Sequence, residues 1–524
     1  MSEDTIFTRE EIGQIIDHGL TSQEVKRHLD LFKRPRAYQR LLRPCTPGDG
    51  IRLTGRHEAQ ALIEAYEAAA LKGRCLKFVP ASGAASRMFR TLLRYLDSGK
   101  EFIKGQVAGD RLAGMKDAGE ILQFKNNIGK FAFFKDLREV MASKGLCIEK
   151  LLDHDGFPEI LSFLLNEQGL GYADLPKGLI KFHEYPEASR TAFEEHLVEA
   201  ADYISDKNRK CALHFTVSSG HRQKFLDLLE RMRPIYESEY KVSFCVTFSL
   251  QKKSTDTLAV TLDNEPFLDR SSRLLFRPGG HGALLENLND LKGDIIFLKN
   301  IDNVCPDRLR PDSSRWKKIL GGHLVEIQDT VFNYLQDLSS GPPDPSFLDQ
   351  VTAFAKEELL MDLPVSLKTA GPEHRRVTLF KRLNRPIRVC GMVKNEGEPG
   401  GGPFWVRERG GKCTAQIIES AQVDPESEEQ QDLLAASTHF NPVDLVCGVR
   451  DFKGMPFDLR RYTDQDAVFI SKKSRHGKDL KALERPGLWN GAMAGWITMF
   501  VEVPSITFNP VKTVNDLLRN GHRP

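Results

Sequence analysis

Three stretches of this 524-residue chain combine residue types that could do chemistry with phosphates and a metal. VPASGAASRMF (79–89) follows an apolar run and precedes a helical pattern. Small residues there let backbone N–H groups approach phosphate oxygens, and a helix N-terminus adds partial positive charge. Arg87 could close on such a phosphate as a two-pronged donor. The loop is not a Walker loop, because no Gly-Lys-Ser/Thr follows, and it lacks the GxGxxG of a dinucleotide turn. An ordinary strand-to-helix turn with a surface arginine stays open as a reading. FRPGGHGALLENL (276–288) places three glycines and His281 at the mouth of another helix, and FLKNIDNV (297–304) ends an apolar strand at Asp302. A carboxylate there offers a hard oxygen that suits Mg²⁺. The bland alternatives are a capping histidine and a turn aspartate bonding its own backbone. Lys177 and Lys512 both lie close to prolines and read by default as exposed charges.

The elements that must position these residues alternate from about residue 175 onward. GLIKFH, CALHFTVSS, VSFCVTFSL, DIIFLKNID, RVCGMV, AQIIES, DLVCGV and FVEVP are short apolar or β-branched runs, and CLKFVP leads into the first loop. AFEEHLVEAADYI, RQKFLDLLERMRPIYE and ALLENLNDL fall between them with helical spacing. That rhythm predicts an α/β fold with an open, mostly parallel sheet covered by helices, its ligands at the carboxyl ends of the strands. Residues 1–74 read as a helical N-terminal region broken by the turn-rich LLRPCTPGDG, residues 75–524 as the main domain, and about 90–172 as a helical insertion within it.

Composition narrows the function classes. Lys and Arg number 74 against 72 Asp and Glu, which argues against a dedicated nucleic-acid binder. No apolar run reaches the ~20 residues of a membrane span, and the acidic, amphipathic N-terminus is not a signal peptide. Nine scattered cysteines without a CxxC pair lead us to expect a reduced, cytoplasmic chain. There is no GxSxG elbow and no recognisable Ser-His-Asp set, which counts against hydrolases.

Six motifs, taken in order, resemble those of the UDP-sugar pyrophosphorylases within the sugar nucleotidyltransferases. Gly83–Met88 is similar to their G-x-G-T-R-M/L loop, and Pro176-Lys177-Gly178 to their Pro-Lys element. VTFSLQ resembles a strand ending in a base-contacting glutamine, here Gln251. PGGHG resembles their P-x-G-N/H-G loop, IDN their metal-binding aspartate, and ITFNPVKTVNDLL their F-x-P-V-K-T-x-x-D-L-L stretch. The whole chain also resembles a bacterial domain-of-unknown-function family. The resemblance implies a Rossmann-like nucleotidyltransferase fold with a mixed, mostly parallel central sheet. It further implies that Ala81, Ser82, Gly83, Ala84 and Ser86 cradle the nucleotide phosphates. Gln251, Gly280 and His281 would hold the base, with the loop glycines letting its edge lie against backbone. Asp302 would bind Mg²⁺ or Mn²⁺, and Arg87, Lys177 and Lys512 would neutralise the phosphates. Three weaker matches nominate Gly401, Glu419 and Asn441 for the sugar, although Gly400–Gly402 also reads as a hairpin tip.

The implied reaction joins a nucleoside triphosphate, UTP by analogy, to a sugar 1-phosphate and releases pyrophosphate. An already ionised phosphate oxygen needs no general base, so positioning and charge neutralisation carry such a step. Two departures stand out. The family's second loop glycine is Ala85 here, which restricts the backbone and could crowd a triphosphate. The insertion separates the loop from Lys177. A binding or regulatory protein on the same fold is the alternative function. A glycosyltransferase ranks lower, because Asn303 stands where a second spaced aspartate is usual. Trp405 and Trp489 read as packing residues, and ALERPGLWNGAMAGW (482–496) has no expected role.

Overall fold

The computed structural model describes residues 6–34, 38–98, 111–154, 156–341, 344–397, 400–408, 410–475 and 477–523. Seven strands make the heart of the central sheet: β1 (Cys75–Pro80), β2 (Lys210–Val217), β3 (Ser243–Leu250), β4 (Ile295–Lys299), β5 (Ile387–Lys394), β6 (Asp444–Gly448) and β7 (Ile497–Glu502). Their spatial order is 3-2-1-4-6-5-7. Every neighbouring pair is parallel except those of β6, which runs antiparallel to both β4 and β5. The sheet is therefore mixed and mostly parallel, as expected. Six of the seven strands end on one edge, and Asp302, the loop after Pro80 and the segment after Glu502 all follow that edge.

Alternation along the strands feeds two cores. Ile295 and Phe297 of β4 enter one apolar cluster, while Ile296 and Leu298 enter another, as period-two side chains must. The first face is covered by the helices α1 (Arg56–Leu71), α2 (Ala192–Tyr203), α3 (Arg222–Tyr240) and α4 (Arg310–Ser339). Nothing in the expected elements corresponds to α4, whose 30 residues pack against both β5 and α1. Gly321 and Gly322 permit that approach, because a Cβ at either would overlap the Tyr66 ring or the Leu62 carbonyl. The second face is not covered by long helices. The short helix Leu285–Asp290 and a three-stranded sheet (Arg40–Pro44, Gly402–Arg407, Cys413–Ile418) pack there.

LLRPCTPGDG departs from its expected role as a turn-rich linker. Arg40–Pro44 pairs with Gly402–Arg407, while Thr46–Pro47 and Gly50–Arg52 extend the central sheet beside β7. Residues 6–74 are thus woven into the main body. The helices Arg9–Asp17 and Ser22–Lys33 pack beside Leu258, Leu274 and Leu483, close to the PGGHG loop. The insertion is helical among its described residues, from Arg90–Ser98 to Phe157–Leu165. GLIKFH leaves the central sheet altogether: Lys177–Leu179 is a single tight turn, and Lys181–Glu184 pairs only with Ser189–Thr191.

Beneath the carboxyl edge the first face holds a buried charge network. Lys299 Nζ donates to both oxygens of Glu199 at 2.9 and 2.8 Å, and Lys77 Nζ lies 3.5 Å from the same carboxylate. Burial alone would raise the Glu199 carboxyl, but Lys299, Lys77 and Lys317 outweigh it and hold it well below the ordinary range. Lys317 of α4 pairs with Asp444.

Candidate active site

Four segments distant in sequence meet at Lys177. Its backbone N–H donates to the Gly83 carbonyl at 3.0 Å, and Ala85 N–H donates to the Leu175 carbonyl at 2.9 Å. The two loops are thereby zipped together. Lys177 Nζ donates to Asp302 Oδ2 and to the Val511 carbonyl, both at 2.6 Å. Val511 N–H in turn donates to the Asp302 carbonyl at 3.2 Å, Asn509 N–H to Asn303 Oδ1 at 2.9 Å, and Val514 N–H to the Met88 carbonyl at 3.1 Å. The chain from 509 to 514 consequently bridges Asp302 and the first loop. Lys512 sits in the middle of that bridge with an exposed side chain, its backbone N–H bonded to Asp516 Oδ2.

The first loop has the form a phosphate needs. Ala81 is buried and tied to the Thr216 carbonyl, whereas Ser82, Gly83, Ala84, Ser86 and Arg87 are exposed. Among the described residues, the N–H groups of Ser82, Gly83 and Ala84 meet no protein acceptor. Ala85 does not crowd this face, contrary to the concern raised by its Cβ. It is fully buried and belongs to the main core with Met88 and Phe89.

A second group lies along the adjoining wall. Gln251 follows β3 and is half-buried. Asn287 Nδ2 donates to the Leu250 carbonyl at 2.9 Å, and Arg485 N–H to the Gly279 carbonyl at 2.8 Å, so β3 and PGGHG share one support. The places where side chains would stand on the glycines of that loop are already filled by protein. Gly280 has φ +73°, and a Cβ there would come within 2.7 Å of Glu484 Oε2. At Gly282 it would overlap the Pro486 carbonyl. The segment 484–486 fills the space. His281 stacks on Trp489 with centroids 4.1 Å apart, and its Nδ1 accepts from Leu488 N–H at 3.0 Å. Burial lowers its pKa to about 4, so the ring is neutral near pH 7 and carries its proton on Nε2. That Nε2–H is the group His281 can offer a ligand.

Trp489 joins this wall to the weaker sugar candidates. Its Nε1 donates to Glu419 Oε1 at 3.3 Å, and burial raises the Glu419 carboxyl. Gly400–Gly402 is not a hairpin tip. Gly402 opens a strand whose partner ends at Ile418, and Ile417 packs where a Cβ on Gly401 would stand. Asn441 is committed to the scaffold: Nδ2 donates to the Gly391 carbonyl at 3.0 Å and Oδ1 accepts Val443 N–H at 3.0 Å. A sugar hydroxyl could reach only the second Nδ2–H or the second lone pair of Oδ1.

The segment 482–496, given no expected role, is what organises this wall. It is pinned by Arg388, fully buried on β5, which donates to the Trp489 carbonyl at 2.6 Å, Thr498 Oγ1 at 2.8 Å and Gln416 Oε1 at 3.1 Å. An arginine inside an otherwise apolar strand, RVCGMV, was the available signal. Such a residue is buried only with its donors satisfied. No group of three or more His, Cys, Asp or Glu side chains suited to a metal occurs among the described residues.

No curated protein matches the sequence. Among solved structures, the chain is similar to UDP-N-acetylglucosamine pyrophosphorylase from Trypanosoma brucei, at 11% identity over 94% of this chain and 74% of that one, with a TM-score of 0.47. It is also similar to UDP-glucose phosphorylase from Trypanosoma brucei, at 13% identity over 97% and 77% of the two chains, TM-score 0.45. A third is a variant of UDP-glucose pyrophosphorylase from Leishmania major, at 12% identity over 98% and 78%, TM-score 0.43. The family profile described as domain of unknown function DUF4301 matches residues 8–523, and the chain belongs to that family.

Proposed function

We propose that this protein transfers a nucleotidyl group from a nucleoside triphosphate, UTP favoured, to a sugar 1-phosphate, releasing pyrophosphate. One observation carries the reading: Lys177 bonds Gly83, Asp302 and Val511 at once, so the four segments bearing phosphate-binding chemistry meet at one point. The exposed N–H groups of 82–84 donate to phosphate oxygens, Arg87 and Lys512 add charge beside them, and the neutral His281 Nε2–H faces the base. Glu419, whose burial keeps its carboxyl high, accepts from Trp489 and lines the sugar end.

A divalent ion fits here in one specific way. Mg²⁺ is commonly held by one or two carboxylates together with substrate phosphates rather than by a protein cage. Asp302, one-fifth exposed and outside any cluster of three or more metal-ligating side chains among the described residues, matches that pattern. When bound, the ion would neutralise charge on the triphosphate. The sugar phosphate oxygen attacks the α-phosphorus in line, one P–O bond forms, and the bond to pyrophosphate breaks. Lys177 and Lys512 hold the departing charge. No proton need move, so geometry and charge supply the rate.

A second reading, nucleotide-sugar binding without turnover, is favoured by one contact: Lys177 already occupies Asp302 Oδ2. A pyrophosphate-release assay over nucleoside triphosphates and sugar 1-phosphates, with Mg²⁺ and Mn²⁺, separates the two. Release that requires both substrates and metal supports transfer. Tight binding with no release across the panel selects the second reading.

A further inference from the structure

A cavity of about 1090 Å³ opens behind the strand Cys413–Ile418, near the starts of β5 and β7. Because these strands run toward the phosphate loop's edge, their starts lie at the opposite edge of the sheet. Its inner wall includes Ile418 and Asn490, the residues next to Glu419 and Trp489, so the two sites stand back to back.

The lining is strongly cationic. Lys381, Arg382, Arg385, Arg407, Lys412 and Arg461 face it, against the carboxylates of Asp362, Glu408 and Asp464. Asp362 Oδ2 also accepts Cys413 N–H at 2.9 Å and Glu408 Oε1 accepts from Thr414 Oγ1 at 3.0 Å, and both carboxylates partly offset the charge at Lys412. None of the six cations makes an ion pair with a carboxylate among the described residues; Arg385 donates only to the Lys381 and Gly495 carbonyls, both at 3.4 Å. Arg385 and Lys412 sit where their charge is disfavoured. Burial and then repulsion from Arg382 lower both of them. Proteins ordinarily place a counter-charge beside desolvated cations, since unpaired charge in a partly buried place is costly. Seven cations, Arg40 included, line this ligand-sized space against three carboxylates, and the surplus of positive charge is left for a ligand from outside to offset.

We infer that this cavity binds a small polyanion carrying two or more phosphate groups, at a site separate from the phosphate loop. Arg382, Arg385 and Lys412 meet the phosphates on one side, with Arg407, Arg461 and Lys381 around them. Tyr38, Tyr462 and Trp496 supply apolar wall for any attached ring. The inference does not rest on nucleotidyl transfer, because it uses none of the residues assigned to it.

Calorimetric titration of the full chain with inorganic pyrophosphate, without divalent metal and at low salt, tests the site. We expect sub-millimolar binding that weakens as salt is raised. Arg382→Ser/Lys412→Ser weakens it at least tenfold, whereas Arg87→Ser/Lys512→Ser leaves this component in place. A parallel titration with ADP separates sources: tighter binding than pyrophosphate identifies a nucleoside diphosphate, and equal binding an inorganic one. Should the first pair melt early, Arg407→Ser/Arg461→Ser, both at exposed positions, replaces it with the same expected loss. Absence of binding to the wild-type chain, or binding unchanged in both cavity variants, overturns the inference. Loss confined to Arg87→Ser/Lys512→Ser also overturns it, while leaving the nucleotide site intact.

Discussion

Asp302 and Lys177 are each other's partner before any ligand arrives, and that contact defines what substitution should do. Asp302→Asn keeps a hydrogen-bond acceptor for Lys177 but loses the charge a divalent ion requires. We expect metal-dependent pyrophosphate release to fall at least ~10²-fold with Tm nearly unchanged; activity near wild type removes Asp302 from the site. Lys512→Ala should cost on the order of 10²–10³ in kcat if it is a preorganised charge, with little change in binding of the sugar phosphate. The residues of this cluster were legible because each sits in a distinctive local motif. Asn441 and Gly401 show the limit of that legibility. A local match says nothing about which donors and acceptors are already used, and the backbone of Gly391 and Val443 uses one of each on Asn441.

At the scale of elements, the segment 482–496 does for the base wall what the 509–514 bridge does for the phosphate end. Trp489→Ala removes the stack on His281 and the donor to Glu419. Such an aromatic pair contributes roughly 0.5–1.5 kcal/mol, so KM for the triphosphate should rise by up to ~10-fold while kcat changes little. An unchanged KM would separate this wall from nucleotide binding. Helix α2 and strands β1 and β4 meet in the Glu199 network. Glu199→Gln leaves Lys299 and Lys77 buried without a carboxylate and should destabilise the fold by about 3–5 kcal/mol, read as a lowered denaturant midpoint. Helical and strand periodicity announced most of these elements. It did not announce the strands at 40–52, whose prolines and glycines read as turns, nor the departure of GLIKFH from the sheet.

For the molecule as a whole, burial lowers seven of the described histidines: His28, His214, His281 and His323 each to about 4, with His196, His439 and His522 shifted the same way. Their folded values lie below the unfolded value near 6.5. The unfolded chain therefore takes up protons first as pH falls. The stability these groups contribute is fully present above about pH 6.5 and is lost as pH falls toward 4. Tm should drop measurably between pH 7.5 and 5. His214→Gln, able to keep bonds to Thr247 and Ser249, should flatten that drop by its share, about 2 kcal/mol between pH 7.5 and 5 at ~1.4 kcal/mol per pH unit. An identical pH profile in the variant would show that His214 protonates freely when folded.

By itself the sequence determined the alternation of strands and helices, the α/β class and the order of the short motifs that meet at Lys177, because periodicity and small-residue loops are local properties. Only tertiary structure decided that β6 runs against its neighbours, that the PGGHG glycines pack against 484–486, and that a surplus of cations lines the cavity behind Cys413–Ile418. Those outcomes depend on which surfaces meet across hundreds of residues. A side chain's neighbours, its remaining hydrogen-bonding capacity and its counter-charge exist only once the chain has packed.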